Sequence, residues 1–277
     1  MKLFYTGQDV RNATQGQRQQ SSVGLVPTMG ALHQGHLELV KAARAENDLV
    51  VCSIFVNPTQ FNNPDDLSAY PRTLEADCRL LESVGCDIVF APSVEEMYPY
   101  PLDLSLNFGT LETVMEGAFR PGHFNGVGIV VSKFFNLIQP HRAYFGQKDL
   151  QQTAIIKSLI RNLSYPIELR ICPTVRESDG LAMSSRNVRL TPEERSIAPT
   201  IYRILNECKT ALLEGTPVEV ALKNARDAFS QQPAFRLEYI ELVDADTLKP
   251  LNETGKANAL CVAVHLGNVR LIDNIVF

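Results

Sequence analysis

Apolar runs alternate with helical spacing over the first two-thirds of the chain. Val23-Gly24-Leu25-Val26-Pro27 predicts a strand running into a glycine turn. His33 to Glu46 predicts a helix, with Leu37, Val40 and Ala43 on one face. Leu49 to Val56 is an apolar, β-branched run suited to a strand buried on both faces. Arg72 to Val84 has helical spacing through Leu74, Cys78 and Leu81, and Gly85 is placed to cap it. Asp87 to Phe90 predicts the next strand, and Val127 to Ile138 an apolar helix stopped by Pro140. Arg142 to Phe145 (strand), Leu150 to Arg161 (helix) and Ile167 to Cys172 (strand) complete the series. Strands alternating with helices imply βαβ units, and right-handed crossovers then give an α/β fold: a Rossmann-like, doubly wound parallel sheet.

The pattern changes after Pro173. Thr191-Pro192-Glu193-Glu194 has the form of a capping box with proline at the first helical position. The helix it opens carries Ile197, Ile201, Leu205, Cys208 and Leu212 on one stripe and ends near Gly215. Thr216-Pro217-Val218-Glu219 repeats the start signal. Strand-like runs follow at Leu237 to Val243, Ala259 to Leu266 and Val269 to Phe277, with Gly267-Asn268 as a hairpin turn between the last two. Two helices and an antiparallel sheet predict a smaller C-terminal α+β domain. The boundary falls within 174–187, and the division is taken as 1–175 and 176–277.

Composition narrows the class. The 277 residues are 45% hydrophobic and 21% charged, an ordinary globular balance. A net charge of -5 argues against a broad nucleic-acid or anionic-membrane surface. No apolar run approaches the ~18 residues of a transmembrane helix, and the polar start at Met1-Lys2-Leu3-Phe4-Tyr5-Thr6 lacks a signal-peptide core. A cytoplasmic location, with no nucleic acid and no membrane among its partners, is the expectation. The six cysteines are scattered without a Cys-x-x-Cys pair, which predicts buried free thiols.

The densest chemical signal is Pro27-Thr28-Met29-Gly30-Ala31-Leu32-His33-Gln34-Gly35-His36, between the first clear strand and the first clear helix. Small residues let backbone approach a ligand, and a helix start offers N–H groups and a positive dipole end to phosphate. The stretch is neither a Walker loop nor a Gly-x-Gly-x-x-Gly turn. Its mark is His33-x-Gly35-His36: two imidazoles on one helical face, able to donate to phosphate oxygens as charge builds there. The plain alternative is one surface histidine and one helix-capping histidine. Met183-Ser184-Ser185-Arg186-Asn187 offers hydroxyl, amide and guanidinium donors on a loop, and read alone is also a linker turn. Tyr144-Phe145-Gly146-Gln147-Lys148-Asp149 with Gln151-Gln152 follows a strand end, where ligands bind in open α/β sheets. Lys148 there fits either a phosphate contact or a solvated helix start. Asn57 and Gln60 lie beyond the Leu49–Val56 strand, and Arg120-Pro121-Gly122-His123 precedes the apolar helix; both loops suit neutral hydroxyl or amine groups, and both also read as plain polar loop decoration.

Five stretches, in order, resemble the pantoate–β-alanine ligase family: 27–36, Phe55-Val56-Asn57-Pro58-Thr59-Gln60-Phe61, Phe119 to Val127, 143–149 with 151–152, and 183–187. The resemblance covers about 23–200, and departs at Gln34, Thr59 and Gln147, beside the functional positions. It implies ATP-dependent condensation of (R)-pantoate with β-alanine through a pantoyl adenylate, with Mg2+ as cofactor and AMP and pyrophosphate as by-products. It implies catalytic roles for His36 as proton donor and for His33, Lys148, Ser184, Ser185 and Arg186. It assigns ATP binding to Met29, Gly30, Ala31, Leu32, His33, Gln34, Gly35 and His36, to Gly146, Gln147, Lys148 and Asp149, and to Val175, Met183, Ser184, Ser185 and Arg186. Gln60 and Gln152 take pantoate, with Gln60 also near β-alanine, and metal ligands are left unassigned. The resemblance further implies a homodimer in which 1–175 bind nucleotide and pantoate and 176–277 act as a lid. His-x-Gly-His by itself also fits a nucleotidyltransferase of the same superfamily, or a non-catalytic nucleotide-binding module. The Gln60 and Gln152 loops favour the ligase over the first, and the His, Lys and Ser-Ser-Arg set argues against the second.

Overall fold

A computed structural model describes residues 1–18 and 20–277. The chain forms two compact units. The first comprises Met1–Thr113, Gly117–Gly146 and Ile155–Cys172; the second comprises Val114–Glu116, Gln147–Ala154 and Pro173–Phe277. A single cut at 175/176 therefore differs from the observed grouping, which draws two short earlier stretches into the C-terminal unit. Long-range bonds within that unit are the reason. Arg270 makes a bidentate pair with Glu116 at 2.7 Å on each arm, and Gln151 ties to Glu116 N–H and Val114 O.

In the first unit, β1 (Lys2–Phe4), β2 (Val23–Thr28), β3 (Leu49–Ile54), β4 (Ile88–Phe90), β5 (Arg142–Gly146) and β6 (Glu168–Cys172) form one parallel sheet ordered β1-β4-β3-β2-β5-β6. The period of two along a strand sorts its residues between two cores. Leu25, Val51, Phe90 and Phe145 join Phe134 and Phe135 of the His123–Ile138 helix and Ile156 of the Leu150–Asn162 helix. The alternate positions Val26, Val50, Cys52, Val89 and Tyr144 join Leu39, Val40 and Ala43 of the Gln34–Glu46 helix and Leu81 of the Leu74–Ser83 helix. Helices thus cover both faces, as the near-continuous apolar strands require. Strand order reverses between β2 and β5, so the crevice beyond their carboxyl ends is the switch point where such sheets bind ligands.

Three local expectations change here. Gly7–Arg18 is a helix and Lys2–Phe4 a strand, neither foreseen, because only Gly7, Val10 and Thr14 of that helix are buried and its apolar stripe is thin. The apolar helix begins at His123, four residues before its apolar run, directly after Gly122 at φ 80°. The first site helix runs Gln34–Glu46, so His33 is its cap and not its first turn.

In the second unit, β7 (Phe235–Asp244), β8 (Asn258–Leu266) and β9 (Val269–Val276) form an antiparallel sheet in that order. Ile201, Leu205, Cys208 and Leu212 of the Thr200–Leu213 helix and Ala221, Ala225 and Phe229 of the Val218–Ser230 helix pack with Leu260, Val262 and Val264 of β8. Gly267 takes the positive φ of 56° at the two-residue hairpin between β8 and β9. The predicted long helix is broken into Pro192–Ile197 and Thr200–Leu213, because Pro199 has no N–H to donate and its ring crowds the preceding turn. The Thr191–Glu194 capping box is present. Thr216 does not cap: Pro217 is the cap residue of the last helix, while Thr216 N–H closes the preceding helix on Ala211 O at 2.9 Å. Among the described residues no helix is long and apolar enough to cross a membrane.

Candidate active site

The loop from β2 into the Gln34–Glu46 helix sits at the switch point of the sheet. It turns through Gly30 at φ 79° and Ala31 at φ 50°, the second being a conformation that costs a residue with a Cβ. Gly30 N–H donates to Thr28 Oγ1 at 3.2 Å. Ala31 and Leu32 N–H donate to the two oxygens of Asp77 at 3.0 and 2.8 Å. His33 N–H donates to His36 Nδ1 at 3.3 Å and Gly35 N–H to His33 Nδ1 at 3.1 Å, a reciprocal cap. These bonds correct one expectation: most of the N–H groups read as open to a phosphate are already committed within the protein.

The cap also fixes the histidine chemistry. A ring nitrogen that accepts an N–H bond holds no proton, so each neutral ring carries its proton on Nε2; this tautomer is inferred from the bonds. The two ring centroids are 4.1 Å apart. The capping histidine of the plain reading is therefore present in His33, and the cap engages Nδ1 of each ring.

Beyond β3, Gln60 closes a short 3-10 turn over Pro58–Gln60 and is buried. Its Oε1 accepts from Asn57 Nδ2 at 3.1 Å, and its Nε2 lies 3.1 Å from Met29 Sδ, which brings Gln60 to the residue that opens the histidine loop. Its backbone O is 2.8 Å from His123 Nδ1 and 3.3 Å from Arg120. Asn57 in turn accepts from Tyr98 OH at 2.8 Å and donates to Gly126 O at 3.2 Å. A Cβ at Gly126 would lie 2.4 Å from Thr59 O, so the helix approaches this turn closely only with glycine there. The Arg120–His123 turn thus shapes the Gln60 backbone.

Gly146 ends β5 in the first unit, and Gln147–Asp149 form a 3-10 turn in the second. Asn274 of β9, only 3% exposed, donates its Nδ2 to the carbonyls of Gln147 and Lys148 at 3.0 and 2.8 Å. Lys148 Nζ lies 3.4 Å from Asp149 Oδ1. Gln152 is half-buried on the helix that follows. Val175 and Met183 are brought together by a backbone bond of 3.0 Å across a tight hairpin bridged at Arg176 and Ala182. Ser184 Oγ accepts from Arg186 N–H at 3.2 Å, which closes a local turn over Ser184-Ser185-Arg186. Arg176 anchors the hairpin: it pairs with Asp273 of β9 at 2.6 and 2.9 Å and lies 3.7 Å over the Tyr202 ring. Burial raises the Asp273 carboxyl above its ordinary range, against the pull of Arg176.

Over this frame, a profile of the pantoate–β-alanine ligase family matches residues 2–276. The chain belongs to the pantoate–β-alanine ligase family. It is 51% identical over 278 residues to the pantothenate synthetase of Bacteroides fragilis, covering 99% of this chain and 98% of that one. It is 50% identical to the pantothenate synthetase of Moorella thermoacetica, covering 100% and 98%. Among solved structures, the pantothenate synthetase of Thermus thermophilus superposes with a TM-score of 0.94 at 46% identity, covering 99% of both chains. The Francisella tularensis pantoate–β-alanine ligase, solved with a β,γ-ATP compound and β-alanine, superposes with 0.84 at 36% identity, covering 99% of this chain and 97% of that one.

For this member of the pantoate–β-alanine ligase family, sequence reading overlooked Asp77, Arg176, Asp273 and Asn274. Asp77 had a signal, a carboxylate on a helix face otherwise turned to the core. The others lie in ordinary strand and hairpin sequence, where only three-dimensional pairing singles them out. No group of three or more His, Cys, Asp or Glu side chains is gathered for a metal ion among the described residues.

Proposed function

We propose that this ligase joins (R)-pantoate to β-alanine in two half-reactions. A pantoate carboxylate oxygen attacks the α-phosphorus of ATP and pyrophosphate leaves, giving pantoyl adenylate. The β-alanine amine then attacks the acyl carbon, the acyl–phosphate bond breaks, and AMP leaves as the nitrogen gives up a proton. The first step makes a poor acyl donor reactive, and its transition state spreads negative charge over phosphate oxygens, where fixed donors contribute most. The observation that carries this reading is the reciprocally capped His33–His36 pair at the switch point, in a chain matched end to end by the family.

His36 and His33 act on the phosphates through their imidazole rings, with His36 as the proton donor nearest the developing charge. Lys148, Ser184, Ser185 and Arg186 meet the phosphates. Met29 to Gly35, Gly146 to Asp149, Val175 and Met183 line the nucleotide. Gln60 and Gln152 hold pantoate, and Gln60 also meets β-alanine. Mg2+ is proposed as a partner carried on the triphosphate, since it commonly keeps phosphate and water oxygens as ligands. Bound there, it offsets phosphate charge. The proposed division is a nucleotide- and pantoate-binding domain over 1–175 and a lid over 176–277, in a cytoplasmic homodimer.

Lys148→Ala tests the order of steps. Adenylation should fall sharply, while preformed pantoyl adenylate should still pass to β-alanine near the normal rate, since pyrophosphate has already left. Equal losses in both half-reactions would remove Lys148 from the phosphates.

A further inference from the structure

We infer that Asp77 is a positioning residue for adenylation, holding the Gly30–Leu32 turn in the left-handed form from which the His33–His36 pair departs; this rests on the adenylating reading above. Asp77 is 1% exposed, on the Leu74–Ser83 helix. A buried carboxylate needs hydrogen-bond donors, and its oxygens receive Ala31 N–H, Leu32 N–H and the Thr73 hydroxyl, the last at 3.1 Å. Two consecutive N–H groups reach one carboxylate only when the chain between Gly30 and Leu32 curls as it does here. Ala31, at φ 50°, resists that curl, whereas glycine would not. A Cβ at position 30 would lie 3.0 Å from both Asp77 Oδ2 and Ile54 Cγ2, so glycine is what lets the turn pass this close to the carboxylate. The turn is thus a strained segment held by one charged group, and the strain lies immediately before the cap that sets both imidazoles.

The test is pantoate-dependent exchange of labelled pyrophosphate into ATP, measured on the full chain. Asp77→Asn keeps the shape but sets an NH2 against one of the donors. It should slow exchange about 10–100-fold, the range for lost bonds to a charged acceptor, with the KM for pantoate unchanged. Ala31→Gly alone, a substitution in the nucleotide-lining turn itself, is measured beside it as the reference for the double variant. Added to Asp77→Asn, it should restore about fivefold or more, because it removes the left-handed strain the carboxylate holds in place. A purely stabilising role for Asp77 predicts no such rescue. Thr73→Val, at an exposed position, removes one bond to the same carboxylate; it should slow exchange about threefold, again rescued by Ala31→Gly, and it decides the matter if Asp77→Asn does not fold. With wild type active, a wild-type rate in Asp77→Asn, or a loss that Ala31→Gly leaves untouched, overturns the bracing role and leaves the ligase reading standing. Wild-type exchange that ignores pantoate overturns the ligase reading, and the bracing role with it.

Discussion

His33 and His36 cap each other's turn: Gly35 N–H donates to the His33 ring, and His33 N–H donates to the His36 ring. One pair of side chains thereby starts the helix and engages Nδ1 of both rings. Structure and chemistry can be separated here by choice of substitution. Asparagine is among the best helix caps, alanine among the poor ones. His33→Asn should keep stability within about 0.5 kcal/mol while lowering adenylation. His33→Ala should lose about 1 kcal/mol as well. Full activity in a stable His33→Asn protein would reduce His33 to a cap.

His36→Ala should slow adenylate formation by about 10²–10³, the typical cost of one aligned charge-stabilising donor. Single-turnover formation of AMP-linked pantoate measures it. Near-normal adenylation in folded protein would take His36 out of the mechanism.

Asn274 holds the two carbonyls next to Lys148. Asn274→Ala should cost about 1–3 kcal/mol in unfolding free energy, since buried carbonyls lose their donor. It should also weaken adenylation more than amine capture, because Lys148 loses its fixed backbone. If thermal stability falls and both half-reactions keep wild-type rates, Asn274 serves the fold alone.

Burial pushes the Cys86 thiol up to about 12 and the Cys208 thiol up to about 11. Burial likewise raises Cys52 and Cys261. The thiolate is the reactive form, and at pH 8 a thiol at 12 is ionised to roughly one part in 10⁴. Alkylation of these cysteines in native protein should be slow, rise with pH, and leave the ligase rate intact. Loss of acyl transfer with adenylation preserved would point to a thioester route.

The alternation of Val23 to Pro27, Leu49 to Val56 and Ile88 to Phe90 made the parallel sheet legible, because strands buried on both faces admit few polar residues. The His33–His36 signal was legible because its residues are consecutive. Asp77 lies 46 residues beyond Ala31 along the chain, and Asn274 lies 126 beyond Lys148, so no local spacing joins them. Ala31 at positive φ was also hidden, since alanine ordinarily marks the absence of such a turn. The break at Pro199 was readable in principle, but the unbroken apolar stripe across it suggested one helix.

The central claim is that pantoate is activated by adenylation before the amine enters. The direct measurement is exchange of labelled pyrophosphate into ATP with MgATP and (R)-pantoate present and β-alanine left out. The account predicts exchange that requires pantoate, a bound adenylate shielded from water, and equal release of AMP and pantothenate once β-alanine is added. Exchange without pantoate, or release of a stable nucleotidylated product, would contradict it.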